Sequence, residues 1–473
     1  MRDRRQAQRG FADGFITEQV GEFWDDWMRA VDQVLDDDDL VATVYEALVQ
    51  RRAQSRTRGR PGFAADVVLR LLLLKHIRNW SFAILEREVR TNLLYRQFTR
   101  VGGGKVPDAK TLGRLGLVVG PEAVARLHQR VVAIAKEARV VAGRKMRVDT
   151  TVVETNIHYP TDSSLLGDGV RVLTRVMKQV TAITGTAGAT LRDRTRSVKL
   201  RLLAIGRASR NKSDQGTEQL KTLYQQLLER TGRVVGQAKR FVADMAAGVK
   251  RSADLMQQVV VDRLKTELEV MLPRVEQVIR QTKARVLGGD TRAAGKLVSI
   301  FEPTTEIIRK GKASKPTEFG KLVKLQEAEH QIIIDYAVYA QRPSDSALLV
   351  PAIREHQDRL GRVPDLVAAD PGFYSGPGEA TAKAMGVKWV SVPATGTKSA
   401  RRKQEQKKRW FKKAQRWRTG CEGRISVLKR RHGLNRCHYR GDAGMKRWVG
   451  LGVIGDNLIN LGIALARSKS KTE

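Results

Sequence analysis

The sequence predicts a mixed α/β core that follows an all-helical N-terminal domain and is interrupted by a long helical block. Three observations carry this reading. Residues 15 to 140 show apolar side chains at three and four spacing with no alternating strand pattern. A β-branched run, MRVDTTVVETNI at 146 to 157, is the first convincing strand. From 160 to 296 the chain returns to Leu, Val, Ala, Arg, Lys and Gln at helical spacing, with one internal proline, Pro273, before strand patterns resume.

In order, helices are expected at Phe23 to Val34, Leu40 to Val49 and Val67 to Ile77. The acidic run Asp36 to Asp39 reads as a solvated turn or helix start and is assigned no role. RRAQSRTRGRPG (51 to 62) has glycines and a proline that stop a helix and arginines suited to phosphates, so it reads as a basic linker. Further helices follow at Ser81 to Arg90 and Asn92 to Phe98. After a break at Gly102 to Gly104, Asp108 caps AKTLGRL. Short helices joined by tight turns suggest a helix-turn-helix, which would put Lys110, Thr111 and Arg114 on the helix that enters a major groove.

Beyond the helical block, strands are expected at LVSIFEP (297 to 303), FGKLVKLQEA (319 to 328) and HQIIIDYAVYA (330 to 340), followed by a helix at Ser346 to Leu360. PDLVAADPG is a short apolar strand ending on Asp370, and VKWVSVPA (387 to 394) is another. A helix runs through Cys421 to Arg431. Trp448 to Ala466 is interrupted by Asp456, Asn457 and Asn460, so it reads as a buried terminal helix and not as a membrane span. The expected domains are 1–140 (helical, DNA-binding), 143–159 with 297–447 (core), 160–296 (insertion) and 448–473 (terminal helix and basic tail).

Lys and Arg total 87 against 50 Asp and Glu among 473 residues, a net charge of +37, so the partner should be a polyanion. Eleven of these cations fall between Lys398 and Arg418. With 41% hydrophobic residues the chain has enough apolar content to fold. Two cysteines, Cys421 and Cys437, build no disulfide framework, and the first fifteen residues lack the apolar core of a signal peptide; a cytoplasmic location is expected. No phosphate-cradling GxxxxGK[ST] or GxGxxG pattern is present, which argues against nucleotide hydrolysis.

Three carboxylates stand out. Asp149 interrupts a β-branched strand, Asp370 ends LVAA where an α/β sheet collects its ligands, and Glu422 lies in a basic segment. Three anions brought close together are costly unless a cation neutralises them. Divalent magnesium prefers oxygen ligands and phosphate, and two such ions about 4 Å apart support in-line chemistry at phosphorus. At 100° per residue, Arg418, Glu422 and Lys429 fall within about 40° of one helix face. Glu422 would then be a metal ligand and Arg418 and Lys429 its flanking phosphate contacts; the simpler alternative is a surface i,i+4 ion pair.

Arg418-x3-Glu422-x6-Lys429 resembles the Arg, Glu and Lys of the Tyr-x2-Arg-x3-Glu-x6-Lys signature of bacterial insertion-sequence transposases of the DDE superfamily. RVDTTVVETNI and AADPGFYS look like the regions carrying that family's two aspartates. RGRPGFAADVVLRLLLLKHIRNWSFAILEREV with PDAKTLGRL is similar to its N-terminal helical domain, and RHGLNRCHYRG with GDNLINL to its C-terminal end. YPTDSSLLGDG and KPTEFGKLVKL point to the not-yet-classified insertion-sequence group. The resemblance implies a ribonuclease H-like catalytic core, Asp149, Asp370 and Glu422 as the catalytic and metal-binding triad, two Mg²⁺ ions that Mn²⁺ can replace, and a grip on terminal inverted repeats. One departure is Gln415 where the signature has Tyr, a role that either falls to Trp417 or is not needed. The long insertion is another. Asp162 and Asp168 are read as helix caps.

The expected function is therefore a transposase that binds transposon ends, cleaves their 3′ ends and joins them to target DNA. Double-stranded DNA is the partner, and a homodimer or larger assembly would hold two ends. A metal-dependent nuclease that cuts without joining, and a catalytically inactive DNA-binding repressor, are the alternatives. Arg192, Arg194, Arg196 and Arg201 of the insertion are candidates for tracking the DNA backbone.

Overall fold

The structure is a computed structural model and describes residues 3–6, 20–50, 62–211, 213–292, 294–309, 316–394, 396–397 and 399–469. All but the last residue of the basic linker at 51 to 62 lies outside them. The chain divides into two compact units, one of Met1–Asn156 with Ile308–Glu473 and one of Ile157–Ile307.

Among its described residues the first unit opens with seven α-helices: α1 (Asp26–Val34), α2 (Asp38–Gln50), α3 (Ala65–Ile77), α4 (Phe82–Thr91), α5 (Leu93–Phe98), α6 (Ala109–Val118) and α7 (Pro121–Glu137). Local chemistry sets several starts. Ser81 Oγ accepts the Ile84 N–H, and the Asp108 carboxylate accepts that of Thr111, as N-caps do. Asp37 caps α2 through the Leu40 N–H. The acidic run is less solvated than expected: Asp37 also takes Arg130, and Asp36 takes the fully buried Arg70 together with Arg100.

A mixed sheet follows. Its strands are β1 (Lys145–Thr155), β2 (Glu306–Ile308), β3 (Glu318–Glu327), β4 (Ile333–Val338), β5 (Leu366–Ala369), β6 (Trp389–Ser391) and β7 (Arg436–Cys437). Their order is β2-β3-β1-β5-β6, with β4 also on β3 and β7 on β1. β1 is antiparallel to β3 and parallel to β5; β4 is antiparallel to β3, and β6 parallel to β5. This arrangement is consistent with the expected core. Four helices belong with it: α12 (Leu349–Leu360), α13 (Gly376–Ala384), α14 (Ala400–Lys407) and α15 (Arg409–Arg431). α12 ends at Gly361, whose φ of 71° is the left-handed conformation that favours glycine after a helix.

The sheet is covered on both faces. Met146 and Val148 of β1 and Val367 and Ala369 of β5 pack with Leu349, Ala352 and Ile353 of α12. Val153, Val323 and Leu325 pack with Leu428 of α15 and with Trp448, Val449 and Val453 of the terminal helix α16 (Gly441–Lys469). α16 also joins the core of the N-terminal helices through Leu451, Ile454, Leu458 and Leu461. Among the described residues it is the one helix long and apolar enough to cross a membrane, and 72% of its most apolar window is buried inside the protein. Its polar residues are spent internally: Asp456 pairs with Arg424, and Asn457 exchanges hydrogen bonds with the Ile333 backbone.

The second unit consists of α8 (Asp162–Thr184), α9 (Thr195–Ala208), α10 (Asp214–Ala246) and α11 (Leu255–Thr282), around a core that includes Leu166, Leu173, Leu227, Phe241, Leu268 and Val275. Two expectations fail here. LVSIFEP is not a strand: Ser299 Oγ accepts the Phe301 and Glu302 N–H groups in a turn, Arg274 takes the Ile300 carbonyl, and the Ile300 side chain is buried in the helical core. Asp162 and Asp168 are not caps. Thr161 caps α8 in a reciprocal bond with Ser164, while Asp162 pairs with Arg285 and Asp168 with Arg171.

Candidate active site

Sheet register brings the two aspartates together. Val148 of β1 lies opposite Ala369 of the parallel β5, so Asp149 and Asp370, one residue further along each strand, stand at the same level of neighbouring chains. Residues alternate across a strand. Met146 and Val148 are taken by the α12 face, which leaves Arg147 and Asp149 to the α15 face. The Asp149 side chain is 12% exposed, and one of its oxygens accepts the Thr150 N–H at 2.7 Å. At the strand end, the Asp370 carboxylate accepts the Gly372 N–H at 2.8 Å and so starts the turn Pro371–Phe373.

Helix α15 brings the third acid by way of an arginine. Arg418 Nη2 donates to Glu422 Oε1 at 2.8 Å, and Nη1 lies 3.7 Å from Asp149 Oδ2. The arginine side chain is 14% exposed and that of Glu422 58%. Arg418 is expected on the phosphate path, yet here its guanidinium spans two carboxylates. Lys429 is half-buried further along the same helix.

The helix is fastened beside the sheet by neighbours of these residues. Arg147 forms a buried ion pair with Glu327 of β3, lies 4.9 Å from the Trp417 ring centroid and donates to the Trp417 carbonyl. Gly420 is a close approach, since a Cβ there would collide with the Arg147 guanidinium. Gln415, which stands where the signature has Tyr, donates from Nε2 to the Ser391 carbonyl at 2.6 Å and lies 3.4 Å from the Ala369 carbonyl. Its amide therefore ties α15 to the ends of β6 and β5, the latter being the strand that ends on Asp370. Burial pushes the Cys421 thiol far up, and the nearby Glu327 and Asp149 push it in the same direction, so it stays protonated. Burial likewise raises Glu327, with the Arg147 pair opposing it.

A further carboxylate, Asp345, stands at this site. Its Oδ1 accepts the Thr150 hydroxyl at 3.1 Å, next to Asp149. A Cβ on Gly372 would stand 3.4 Å from Asp345 Oδ2 and 3.6 Å from Asp370 Oδ1, so this carboxylate reaches the same corner. The only signal in PSDSALL is that of a helix start, which gives no hint that the sheet end lies beside it.

Hard divalent cations take oxygen ligands, and Asp149, Asp370 and Glu422 offer only oxygens. The donor chemistry fits such an ion. Among the described residues no three of His, Cys, Asp and Glu are gathered into a set that holds a metal as they stand, and Glu422 is turned onto Arg418. The candidate groove residues lie apart from these acids in sequence. Lys110 and Arg114 are exposed on α6, while the Thr111 hydroxyl donates to Asp108 at the helix start. α4 and α6 pack through Phe82, which approaches Gly113 and Gly116.

Residues 21–115 match the family described as "Transposase domain (DUF772)", and residues 382–462 match the family described as "Transposase DDE domain". The first range contains Lys110, Thr111 and Arg114; the second contains Arg418, Glu422 and Lys429; Asp149 and Asp370 fall in neither. No curated protein and no solved structure matches the chain. The two family matches support an insertion-sequence transposase of the DDE type, and with it DNA recombination.

Proposed function

Starting from an insertion-sequence DDE transposase, we propose that this chain binds the terminal inverted repeats of its element, cleaves their 3′ ends and transfers them into target DNA at one site, formed by Asp149, Asp370 and Glu422 on a ribonuclease H-like core. The observation that carries this reading is the shared level of Asp149 and Asp370 on parallel neighbouring strands, with Arg418 linking Asp149 to Glu422. Magnesium ions held by the three carboxylates would activate the attacking oxygen and stabilise the leaving one at phosphorus.

The chain's own residues prepare that chemistry. Arg418 holds Glu422 beside Asp149 and offsets the repulsion between the two anions. The hold on Glu422 is modest, because its carboxylate is more than half exposed and i,i+4 helix pairs at the surface contribute only about 0.3–0.5 kcal/mol. Glu422 can therefore leave Arg418 at small cost when a stronger cation is offered. Gln415 fixes the helix to the strand that ends on Asp370, and Asp345 steadies β1 through the Thr150 hydroxyl beside Asp149. The exposed Lys110 and Arg114 of α6 are assigned to DNA contact, with Thr111 shaping the start of the same helix. Lys429 is assigned to the phosphates near Glu422. A dimer or larger assembly follows from the task of holding two ends.

Purified protein incubated with an end-containing duplex, target DNA and Mg²⁺ tests the reading. Joined products that vanish in Asp370→Asn are expected. Cleaved but never joined ends would reduce the protein to a nuclease, and binding without cleavage to a repressor.

A further inference from the structure

The helical unit carries a concentration of positive charge that the sequence does not reveal as one surface. On α10, Arg230, Arg233, Gln237 and Arg240 recur at spacings of three, four and three. At 100° per residue these four side chains fall within an arc of about 80°, so they form one stripe on the helix. Gln237 clasps the segment before α9 onto it. Its Oε1 accepts Arg194 Nη1 at 2.8 Å and its Nε2 donates to the Thr190 carbonyl at 3.3 Å. Asp244 holds the same segment by accepting the Ala189 N–H at 2.6 Å. Arg192 and Arg194 are thereby brought beside the α10 arginines.

The Arg194 guanidinium thus has four others near it. The Arg194 guanidinium is held below its ordinary value by burial and then by Arg192, Arg233, Arg230 and Arg240 in turn. Among the described residues Glu229, on Arg233, is the one carboxylate paired with any of the five. Asp193, between Arg192 and Arg194, is drawn off to Lys178 at 2.6 Å and to the start of α9. A solvated helix face usually interleaves both signs. This one accumulates a single sign and fixes it with a buried glutamine.

We propose that this ridge of Arg192, Arg194, Arg230, Arg233 and Arg240 is a binding surface for the phosphate backbone of double-stranded DNA; the inference rests on DNA being the substrate. From Arg230 to Arg240 the helix rises about 15 Å. That matches about four steps of 3.4 Å along one strand. Guanidinium forks bind phosphate oxygens bidentately, and such contacts position a duplex without reading its sequence. The ridge is therefore indifferent to sequence. Of the four insertion arginines expected to track DNA, Arg192 and Arg194 belong to it, while Arg201 is turned back onto Ser197.

The test is the salt dependence of duplex binding by the full chain, measured on an end-containing duplex and on an unrelated one of the same length. Replacing Arg192, Arg230, Arg233 and Arg240 together by Gln leaves the Arg194–Gln237 clasp intact. The slope of log affinity against log salt should fall by about 0.9 for each phosphate contact removed, equally on both duplexes. The four lysine replacements should retain most of the slope. An unchanged slope in the Gln variant overturns the proposal, as does a loss confined to the end-containing duplex. If affinity falls for single-stranded RNA but not for duplex DNA, the surface serves another polyanion and the proposal fails. Should the fourfold variant not fold, Arg233→Gln and Arg240→Gln, both exposed, give the same reading singly. Failure of the catalytic reading looks different: wild-type protein would bind with a steep salt slope yet yield no cleavage that depends on Asp370.

Discussion

Two arginines in this chain have opposite surroundings. Arg418 lies between Asp149 and Glu422, whereas Arg194 lies among four other arginines and is steadied by a neutral amide. Two carboxylates face the first, at 2.8 and 3.7 Å; among the described residues no carboxylate pairs with the second. A cation facing two anions gains less from a phosphate than a cluster of cations with few paired carboxylates does. Basic residues that look alike in sequence thus divide into those that organise acids and those available to a polyanion. Buried Lys75 adds a third setting, its ammonium 4.7 to 5.2 Å from the ring centroids of Trp448, Phe82 and Tyr439.

The largest expected effect is that of Asp370→Asn. Cleavage and joining should fall by about 10³-fold or more, the scale of losing a group that stabilises charge at the reacting centre. Duplex affinity, read by titration, should stay within about twofold. Arg418→Ala should lower cleavage by about 10 to 100-fold, the range seen when the support of a ligand is removed, while leaving the salt slope of binding unchanged. A slope lower by about 0.9 would put Arg418 on a phosphate and erase the contrast with the ridge.

Lys75→Met probes the third setting. Burial pushes the Lys75 ammonium down to about 8, against 10.5 for the free side chain. Between these values the unfolded chain binds more protons, so wild-type stability should rise with pH across that window, the penalty being fully present below about 8. The Met variant should lack the rise, as thermal melts at pH 7.5 and 10 would reveal; equal rises in both proteins would refute the assignment. Smallest is Gln415→Ala, which should cost about 1 kcal/mol in stability through the lost hydrogen bonds at the ends of β5 and β6. A melting midpoint identical to wild type would count against that brace.

Much of this was legible in the chain. β-branched alternation gave β1, the LVAA run gave β5, and Asp108 was recognisable as a cap because capping depends on residues three apart. That Asp370 closes its strand is legible in LVAAD, but its level beside Asp149 is set by the register of β1 against β5, which local patterns do not encode. Contacts between distant segments were not legible. Nothing near Gln415 says that its amide meets the backbone of Ser391, and nothing near Asp345 announces Thr150. LVSIFEP misled because an apolar run suits a strand and a buried loop equally well, and the helical core claimed Ile300. The ridge is hidden in the sequence because two of its five arginines come from a segment some forty residues upstream of the helix stripe it joins.

One consequence concerns how such a chain is assembled. β1 and β3 are antiparallel neighbours with Glu154 opposite Gly320, so the polypeptide leaves the sheet at the end of β1 and, after the helical unit and the short edge strand β2, begins β3 beside that point. A simple hairpin turn would satisfy the same two strands. The helical unit is therefore a cassette, spliced in where the sheet needs only a short link, and its removal leaves the register of β1 against β3 without a topological obstacle.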